Sequence, residues 1–145
     1  MLKMSKRADY ALIALRHLAT HQGEAACSAA DMAGAYAISA PLMAKILQRL
    51  AKHGMVKARH GAAGGYRLAR PAEEISALDV IRAIDGPQTI TSCITSHGEC
   101  QQTHTCTVRE PLRRVNRTIL DVLDRLTISQ MVDDTAGGRF VELQT

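Results

Sequence analysis

The sequence predicts a mainly α-helical fold: a winged helix-turn-helix domain, a cysteine-bearing loop and a long C-terminal dimerisation helix. Three observations lead to this prediction. Short helical segments are followed by one glycine-rich hairpin, which is the element order of a winged helix-turn-helix. The 145-residue chain has one Phe, three Tyr and no Trp, so an aliphatic core of helix-favouring residues is expected. A long apolar stripe near the C-terminus is typical of a helix that pairs with another.

Three helices are expected in the first part of the chain. Ser5 suits the N-cap of a first helix over residues 5–21, in which apolar residues recur at helical spacing. The segment Ser28–Asp31 has the pattern of a capping box and opens a second, short helix. Pro41 suits the first turn of a third helix, because its missing N–H would be unpaired there. His53 and the glycine after it end that helix.

The hydrophobic period then changes from helical to alternating. Residues 55–59 and 65–69 alternate around a glycine-rich turn, which predicts a β-hairpin. A second capping box at residues 76–79 opens a further helix, which is closed by a Gly-Pro pair at 86–87. We assign residues 1–86 to the winged helix-turn-helix domain.

The C-terminal part divides into a loop, two helices and a tail. Residues 87–107 form a polar loop that holds three of the four cysteines. The next helix carries apolar residues at alternating spacings of four and three: Val108, Leu112, Val115, Ile119, Val122 and Leu126. Such a stripe must pack against another apolar surface, and the same helix of a second copy is the simplest candidate. We assign residues 108–134 to this dimerisation helix and a short helix, and 135–145 to a flexible tail.

The charge of the chain is unevenly distributed. Residues 1–71 contain eleven Lys and Arg against three Asp and Glu, a net charge of +8, and the remainder carries −4. A positive half is what a module that binds DNA requires. A solvated basic surface would have the same charge, so charge alone leaves both interpretations open.

Neither a membrane segment nor a targeting segment is predicted. No apolar run approaches the roughly 20 residues that span a bilayer, and the N-terminus lacks the apolar core of a signal peptide. We therefore expect a cytoplasmic protein with no membrane partner. Thiols stay reduced there, so the four cysteines are interpreted as ligands or sensors rather than disulfides.

The predicted recognition helix and wing offer candidate DNA contacts. Lys45 and Arg49 lie four residues apart and suit contact with phosphate or guanine, while Gln48 can read adenine. At the wing, arginine suits a narrow minor groove and glycine lets the backbone approach DNA closely. The candidate DNA-binding set is Ser39, Pro41, Lys45, Gln48, Arg49, Arg59, His60 and Gly61.

Cys93, Cys100 and Cys106 lie in polar surroundings, unlike most structural cysteines. Three cysteines cannot pair off among themselves, and clustered thiolates on a loop bind soft metals well. The spacing lacks the Cys-x2-Cys of common zinc sites, yet spacing alone leaves an iron–sulfur cluster, zinc and a bare thiol sensor open. Cys27, just before a capping box, is expected to be a packed small side chain.

Several segments resemble the family of Isc-type and Suf-type regulators of iron–sulfur cluster assembly, which includes the nitric-oxide sensor NsrR. The similarity extends from about residue 2 to about residue 133. The closest pattern is that of the Suf-system regulator, through Asp-Gly-Pro at 85–87 and the cysteine spacing over 93–106. The other matching segments are SKRADYAL (5–12), LQRLAKHGMV (47–56) and RHGAAGGYRLA (59–69).

The resemblance implies a homodimeric transcription regulator, not an enzyme, that binds a double-stranded DNA operator. It also implies an iron–sulfur cluster, 2Fe–2S or 4Fe–4S, on Cys93, Cys100 and Cys106. Such a regulator senses cluster status, redox state or nitric oxide and controls cluster-assembly genes, typically as a repressor.

The fourth ligand of such a cluster is open. Isc-type regulators use a histidine three residues after the last cysteine, where this chain has Arg109. The nitric-oxide sensors can use an aspartate from the first helix of the partner subunit, and the matching residue here is Asp9. His104 is a local alternative. The rival hypothesis is a zinc-binding or thiol-based redox protein without a cluster, although no nucleophile–base pattern or phosphate-binding loop favours an enzyme.

Overall fold

The computed structural model describes residues 3–91 and 100–137 of the chain. The described residues form a mainly helical fold with one small antiparallel sheet, as the sequence predicts. The elements are α1 (Lys6–Thr20), α2 (Ala29–Ala35), α3 (Ala40–Lys52), β1 (Val56–Arg59), β2 (Gly65–Leu68), a 3₁₀ turn (Ala72–Glu74), α4 (Ala77–Asp85), α5 (Arg109–Arg125) and α6 (Ile128–Gly137).

Serine side chains begin three of the helices, and all three were predicted. The hydroxyl of Ser5 accepts a hydrogen bond from the Ala8 N–H, and that of Ser28 accepts one from the Asp31 N–H. Ser76 and Asp79 form a complete capping box, in which each side chain accepts from the other residue's backbone N–H. These bonds satisfy donors that a helix start leaves unpaired, so local sequence fixes where these helices begin.

The wing is the β1–β2 hairpin. Its strands pair from Val56 opposite Leu68 to Arg59 opposite Gly65, so its tip lies between the last two residues. The Ala69 N–H donates to the Met55 carbonyl at 3.0 Å and closes the base of the wing. The predicted hairpin is therefore confirmed.

One aliphatic core joins the helices, as the composition indicates. Ala8, Ala11 and Ala14 on α1 have no exposed surface, and their small side chains let neighbouring helices approach α1 closely. The largest fully buried side chains are Leu15, Met32, Met43, Ile46, Leu47, Leu50, Ile75, Val80 and Ile128. The elements that carry the candidate DNA contacts are thus held by one core.

The C-terminal helix extends further than predicted. Backbone hydrogen bonds join Ala77 to Leu126 at 2.7 Å and Ile128 to Ile75 at 2.9 Å, which anchors the start of α6. The helix then continues to Gly137 instead of ending at Asp134. Residues 135–137, which the sequence analysis assigns to the tail, thus belong to α6, and the rest of the predicted tail lies outside the described residues. Among the described residues, no helix combines the length and apolar character needed to cross a bilayer.

Candidate nucleic-acid interface and cysteine loop

The third helix has one buried face and one polar face. Its buried face is formed by Met43, Ile46, Leu47 and Leu50. Lys45 and Gln48 are exposed on the polar face, and Ser39 and Pro41 are exposed at the start of the helix. Because the buried face fixes the rotation of α3, these four candidate side chains are available to a ligand outside the core.

Arg49 has a structural contact that the sequence did not reveal. Its Nε donates to the Ala83 carbonyl of α4 at 2.7 Å. A basic residue in the last turn of a helix is a common arrangement, but the partner lies 34 residues away. Arg49 therefore links α3 to α4, and only the rest of its guanidinium remains for the predicted DNA contact.

The wing tip presents its candidate residues to solvent. Arg59, His60 and Gly61 are all exposed. The tip turns tightly, since the Gly64 N–H donates to the Gly61 carbonyl at 2.9 Å. The tip therefore exposes the charged side chain of Arg59 and the glycine backbone at the end of the hairpin.

The wing is fastened to the body of the domain at Cys27. The backbones of Cys27 and Tyr66 exchange two hydrogen bonds, of 3.2 and 2.8 Å. Gly65 allows this approach, because a Cβ on it would lie 2.5 Å from both the carbonyl carbon and the carbonyl oxygen of Cys27. Its φ of +152° also lies where L side chains are rare. The glycine pair at the end of the predicted turn was the available signal for this contact.

The cysteine loop is only partly within the described residues. Cys93 lies outside them. Cys100 and Cys106 are half-buried free thiols, separated by a turn in which the Thr103 N–H donates to the Cys100 carbonyl at 3.1 Å. The described residues contain no group of three metal-ligating side chains. The three-cysteine site therefore stays a prediction.

The start of this loop is fixed to α5 by Asn116. Asn116 is the buried residue of this helix, 7% exposed, and its Oδ1 accepts from the Ile90 N–H at 3.0 Å. Ile90 lies three residues before Cys93. A polar residue beside the apolar stripe of α5 was the sequence signal for this contact, and it was missed.

Arg109 has a buried donor with no acceptor in the described part of the chain. The atom is its Nε, and Arg109 is the first residue of α5, three positions after Cys106. A guanidinium keeps its charge at all accessible pH values, so a buried one needs an anionic or carbonyl acceptor. Iron–sulfur clusters held by thiolates supply such an acceptor, so this part of the chain fits the group that the resemblance implies.

The other two candidate ligands, Asp9 and His104, are not part of a metal-ligating group within the described residues. Asp9 is in the first turn of α1, where its carboxylate lies 3.6 Å from Lys6 Nζ. His104 is exposed in the turn that precedes Cys106. The start of α1 is nevertheless tied to the chain that leads into the loop, because Ser5 donates its N–H to Asp85 Oδ2 at 2.9 Å. Asp9 is therefore on a helix whose N-cap is hydrogen-bonded to the residue that opens the Asp-Gly-Pro segment.

The apolar stripe of α5 is left open. Val108, Val115 and Val122 are 54%, 49% and 62% exposed. Leu112, Ile119 and Leu126 are half-buried. Large aliphatic side chains in one continuous row are seldom left to water, so this row fits the surface expected for a second copy.

A small polar cluster surrounds Cys27, behind the wing. His17 Nδ1 lies 2.8 Å from the Tyr36 hydroxyl oxygen, and His17 Nε2 lies 3.7 Å from Cys27 Sγ. Burial, and then the charge of His21, lowers the pKa of His17. Burial, and then the charge of Asp31, raises the pKa of the Cys27 thiol. Both shifts favour the neutral form of the group, and Cys27 packs against the core as the sequence predicts.

This cluster predicts a loss of stability in mild acid. Because the folded pKa of His17 is depressed, the unfolded chain takes up the proton first. The stabilisation is present above about pH 6.5, the ordinary histidine pKa, and is lost as the pH falls below it. We expect His17→Gln to reduce the decrease in urea midpoint between pH 8 and pH 5.5. His60→Gln, at the exposed wing tip, is the control that should leave the decrease unchanged.

Comparison with known proteins places this architecture among transcriptional regulators. Residues 4–134 match the model of the Rrf2 family, which is described as an iron-dependent transcriptional regulator. The HTH-type transcriptional regulator NsrR of Geobacillus kaustophilus is 31% identical over 139 residues, which cover 95% of each chain.

Two solved structures have the same architecture. CymR, the global cysteine regulator of B. subtilis, superposes with a TM-score of 0.75 at 28% identity, covering 92% of this chain and 98% of that one. The IscR of T. potens gives a TM-score of 0.75 at 28% identity, covering 97% of this chain and 93% of that one.

Proposed function

Because this chain belongs to the Rrf2 family of transcriptional regulators, we propose that it represses transcription as a homodimer that binds a DNA operator and responds to an iron–sulfur cluster. The observation that carries the DNA-binding part is the exposed face of α3 beside the exposed wing tip, both in the half of the chain with a net charge of +8. Each phosphate that such a surface neutralises releases counterions. The α3 side chains then read base edges, and the wing tip enters the adjacent minor groove.

The proposal of a homodimer is based on the exposed apolar stripe of α5. Two copies of this helix cover one another's valines and leucines, which removes the exposed apolar row from water. A two-fold dimer presents two copies of α3, so the operator is a near-palindrome with half-sites about one helical turn of DNA apart.

The proposal of a cluster is based on the three loop cysteines and on the buried Nε of Arg109. Cys93, Cys100 and Cys106 would hold it, with Asp9 of the partner subunit as the fourth ligand and His104 as the alternative. The cluster supplies sensitivity to oxidants, to nitric oxide and to iron supply. When the cluster is bound, the Nε–H of Arg109 would be a donor to it, a hydrogen bond of the kind that tunes such sites.

Among the described residues, contacts at Ile90 and at Asp85 connect the loop and the residue before Gly86 to other elements. The Asn116 side chain fixes the backbone before Cys93 to α5, which is the proposed dimer helix. Asp85, just before the loop, holds the start of α1 through Ser5. A change in the loop therefore acts on the dimer helix and on α1 together.

The test compares single substitutions of the loop cysteines. We expect anaerobically purified protein to contain iron and sulfide and to show visible absorption. Cys93→Ser, Cys100→Ser and Cys106→Ser should each remove most of the bound iron and sulfide, because a cluster with a missing thiolate is released. Each should also abolish the difference in operator affinity between cluster-containing and cluster-free protein. Cys27→Ser is the matched control and should keep both properties.

Other results would contradict the cluster. Zinc without sulfide in the careful anaerobic preparation would favour a zinc protein. A response that depends on one cysteine alone would favour direct thiol oxidation. Salt-sensitive binding of an operator duplex would still hold in either case, whereas its absence under all conditions would contradict the DNA-binding function itself.

A further inference from the structure

A second candidate site adjoins the C-terminal end of α3. It is an open cleft of about 430 Å³ where the end of α3, the base of the wing and α4 meet. Three basic side chains line it: His53, Arg70 and Arg82. The remaining lining residues are Met55, Asp79, Ala83 and Pro87. We call this the basal cleft.

Arg70 is the residue that indicates a ligand. Its Nε is buried and has no hydrogen-bond partner in the part of the chain that the structure describes. A buried donor without an acceptor is unfavourable, and the guanidinium cannot escape the cost by losing its proton. An acceptor that enters the basal cleft would satisfy it.

The acidic residue of the basal cleft is already engaged. Asp79 Oδ2 accepts from the Ser76 N–H at 3.3 Å as part of the capping box of α4. Arg82 is exposed and has no ion pair among the described residues. The cleft therefore has two arginines against one carboxylate, a net positive charge before His53 is counted, and this charge together with the free Arg70 donor favours an anion.

The position of the cleft separates it from the wing tip. Met55 and Ala69 close the base of the hairpin, and four residue steps lead from there to the Arg59–Gly65 pair at the tip, roughly 13 Å at the usual rise of a strand. A duplex gripped by the tip and by the start of α3 lies at the far end of the hairpin. This geometry favours a free ligand over a DNA phosphate.

We propose that the basal cleft binds a small phosphate-bearing molecule, whose phosphate oxygens accept from Arg70 Nε and from the Arg82 guanidinium. The cleft volume falls within the usual range for small-molecule sites, and arginine matches the geometry of phosphate. Met55, Ala83 and Pro87 offer an apolar wall for the rest of the ligand. Ala83 is also the residue that receives the Arg49 hydrogen bond, so a bound molecule touches the link between α3 and α4.

The test uses inorganic phosphate and the side-chain NMR signals of arginine. The Nε–Hε signal of Arg70, assigned by connection to its backbone, is followed as sodium phosphate replaces sodium chloride at constant ionic strength and pH. We expect a saturable shift of this signal. Arg82→Gln should weaken the phosphate affinity about tenfold, whereas Arg114→Gln, an exposed arginine of α5 outside the cleft, should leave it unchanged.

The remaining outcomes each overturn the proposal. If the Arg70 Nε–Hε signal does not shift when phosphate is added, no such site exists. Equal effects of Arg82→Gln and Arg114→Gln would mean general electrostatic attraction. A signal that moves only when an operator duplex is added would assign the acceptor to DNA. None of these results bears on the loop cysteines, so they leave the proposed cluster function intact.

Discussion

Val115→Asp is expected to convert the dimer into a monomer and to weaken operator binding by at least about a hundredfold. Val115 lies at the middle of the open stripe of α5 and is 49% exposed in the single subunit. In the proposed dimer it is covered by the partner helix, so a carboxylate there would be buried without a partner. Each separated subunit could then bind only one half-site, which loses the gain from simultaneous binding.

The measurement for Val115→Asp combines sedimentation with a DNA-binding titration. Because Val115 contributes nothing to the buried core of one subunit, the monomer should stay folded, with an unchanged helical circular dichroism spectrum. Arg114→Asp places the same carboxylate on the adjacent, exposed position of α5 and should stay dimeric. A dimer that survives Val115→Asp would move the interface to another surface.

Gly65→Ala is expected to lower the free energy of unfolding by about 2–4 kcal/mol. The added methyl would lie 2.5 Å from the Cys27 carbonyl group, which is backbone and cannot swing aside as a flexible side chain would. The positive φ of this residue adds a second cost for any L side chain. Relief requires the wing to move away from the body, so operator affinity should fall with stability.

Gly34→Ala is the matched control for Gly65→Ala. Gly34 lies within α2, and a Cβ there would meet nothing within 4 Å. The same change should therefore raise stability by about 0.5–1 kcal/mol and leave DNA binding intact. Urea unfolding of both variants tests whether Gly65→Ala lowers and Gly34→Ala raises the free energy of unfolding. Equal changes would show that the contact of Gly65 with Cys27 is not what makes Gly65→Ala destabilising.

The parts of this fold that the sequence predicts are the local ones. The caps at Ser5, Ser28 and Ser76 each join residues three positions apart, so a short window contains everything that fixes them. The β1–β2 hairpin and the apolar stripe of α5 can likewise be predicted from the spacing of apolar residues along the chain. The three cysteines and the basic face of α3 could be chosen as candidates for the same reason.

The contacts that sequence analysis missed are all distant pairs. Arg49 bonds to a carbonyl 34 residues away, the Ile90 N–H to a side chain 26 residues away, and Ser5 to a carboxylate 80 residues away. Nothing in the local pattern distinguishes these side chains from solvated ones, because their partners are chosen by how the helices pack. The backbone pairing that holds the start of α6 to the chain before α4 is likewise between residues distant in sequence.

The attachment of the wing at Cys27, together with the bond from Arg49 to α4, has a consequence for how a signal can reach DNA. Since these contacts join α3 and the wing to the same core, we expect the two elements to move together. In the proposed dimer, a change in the cysteine loop would then alter the distance and the angle between the two copies of α3. We therefore expect the cluster-containing and cluster-free proteins to differ more in affinity for operators with one base pair inserted or removed between the half-sites. Operators with altered bases within the half-sites should distinguish the two forms less.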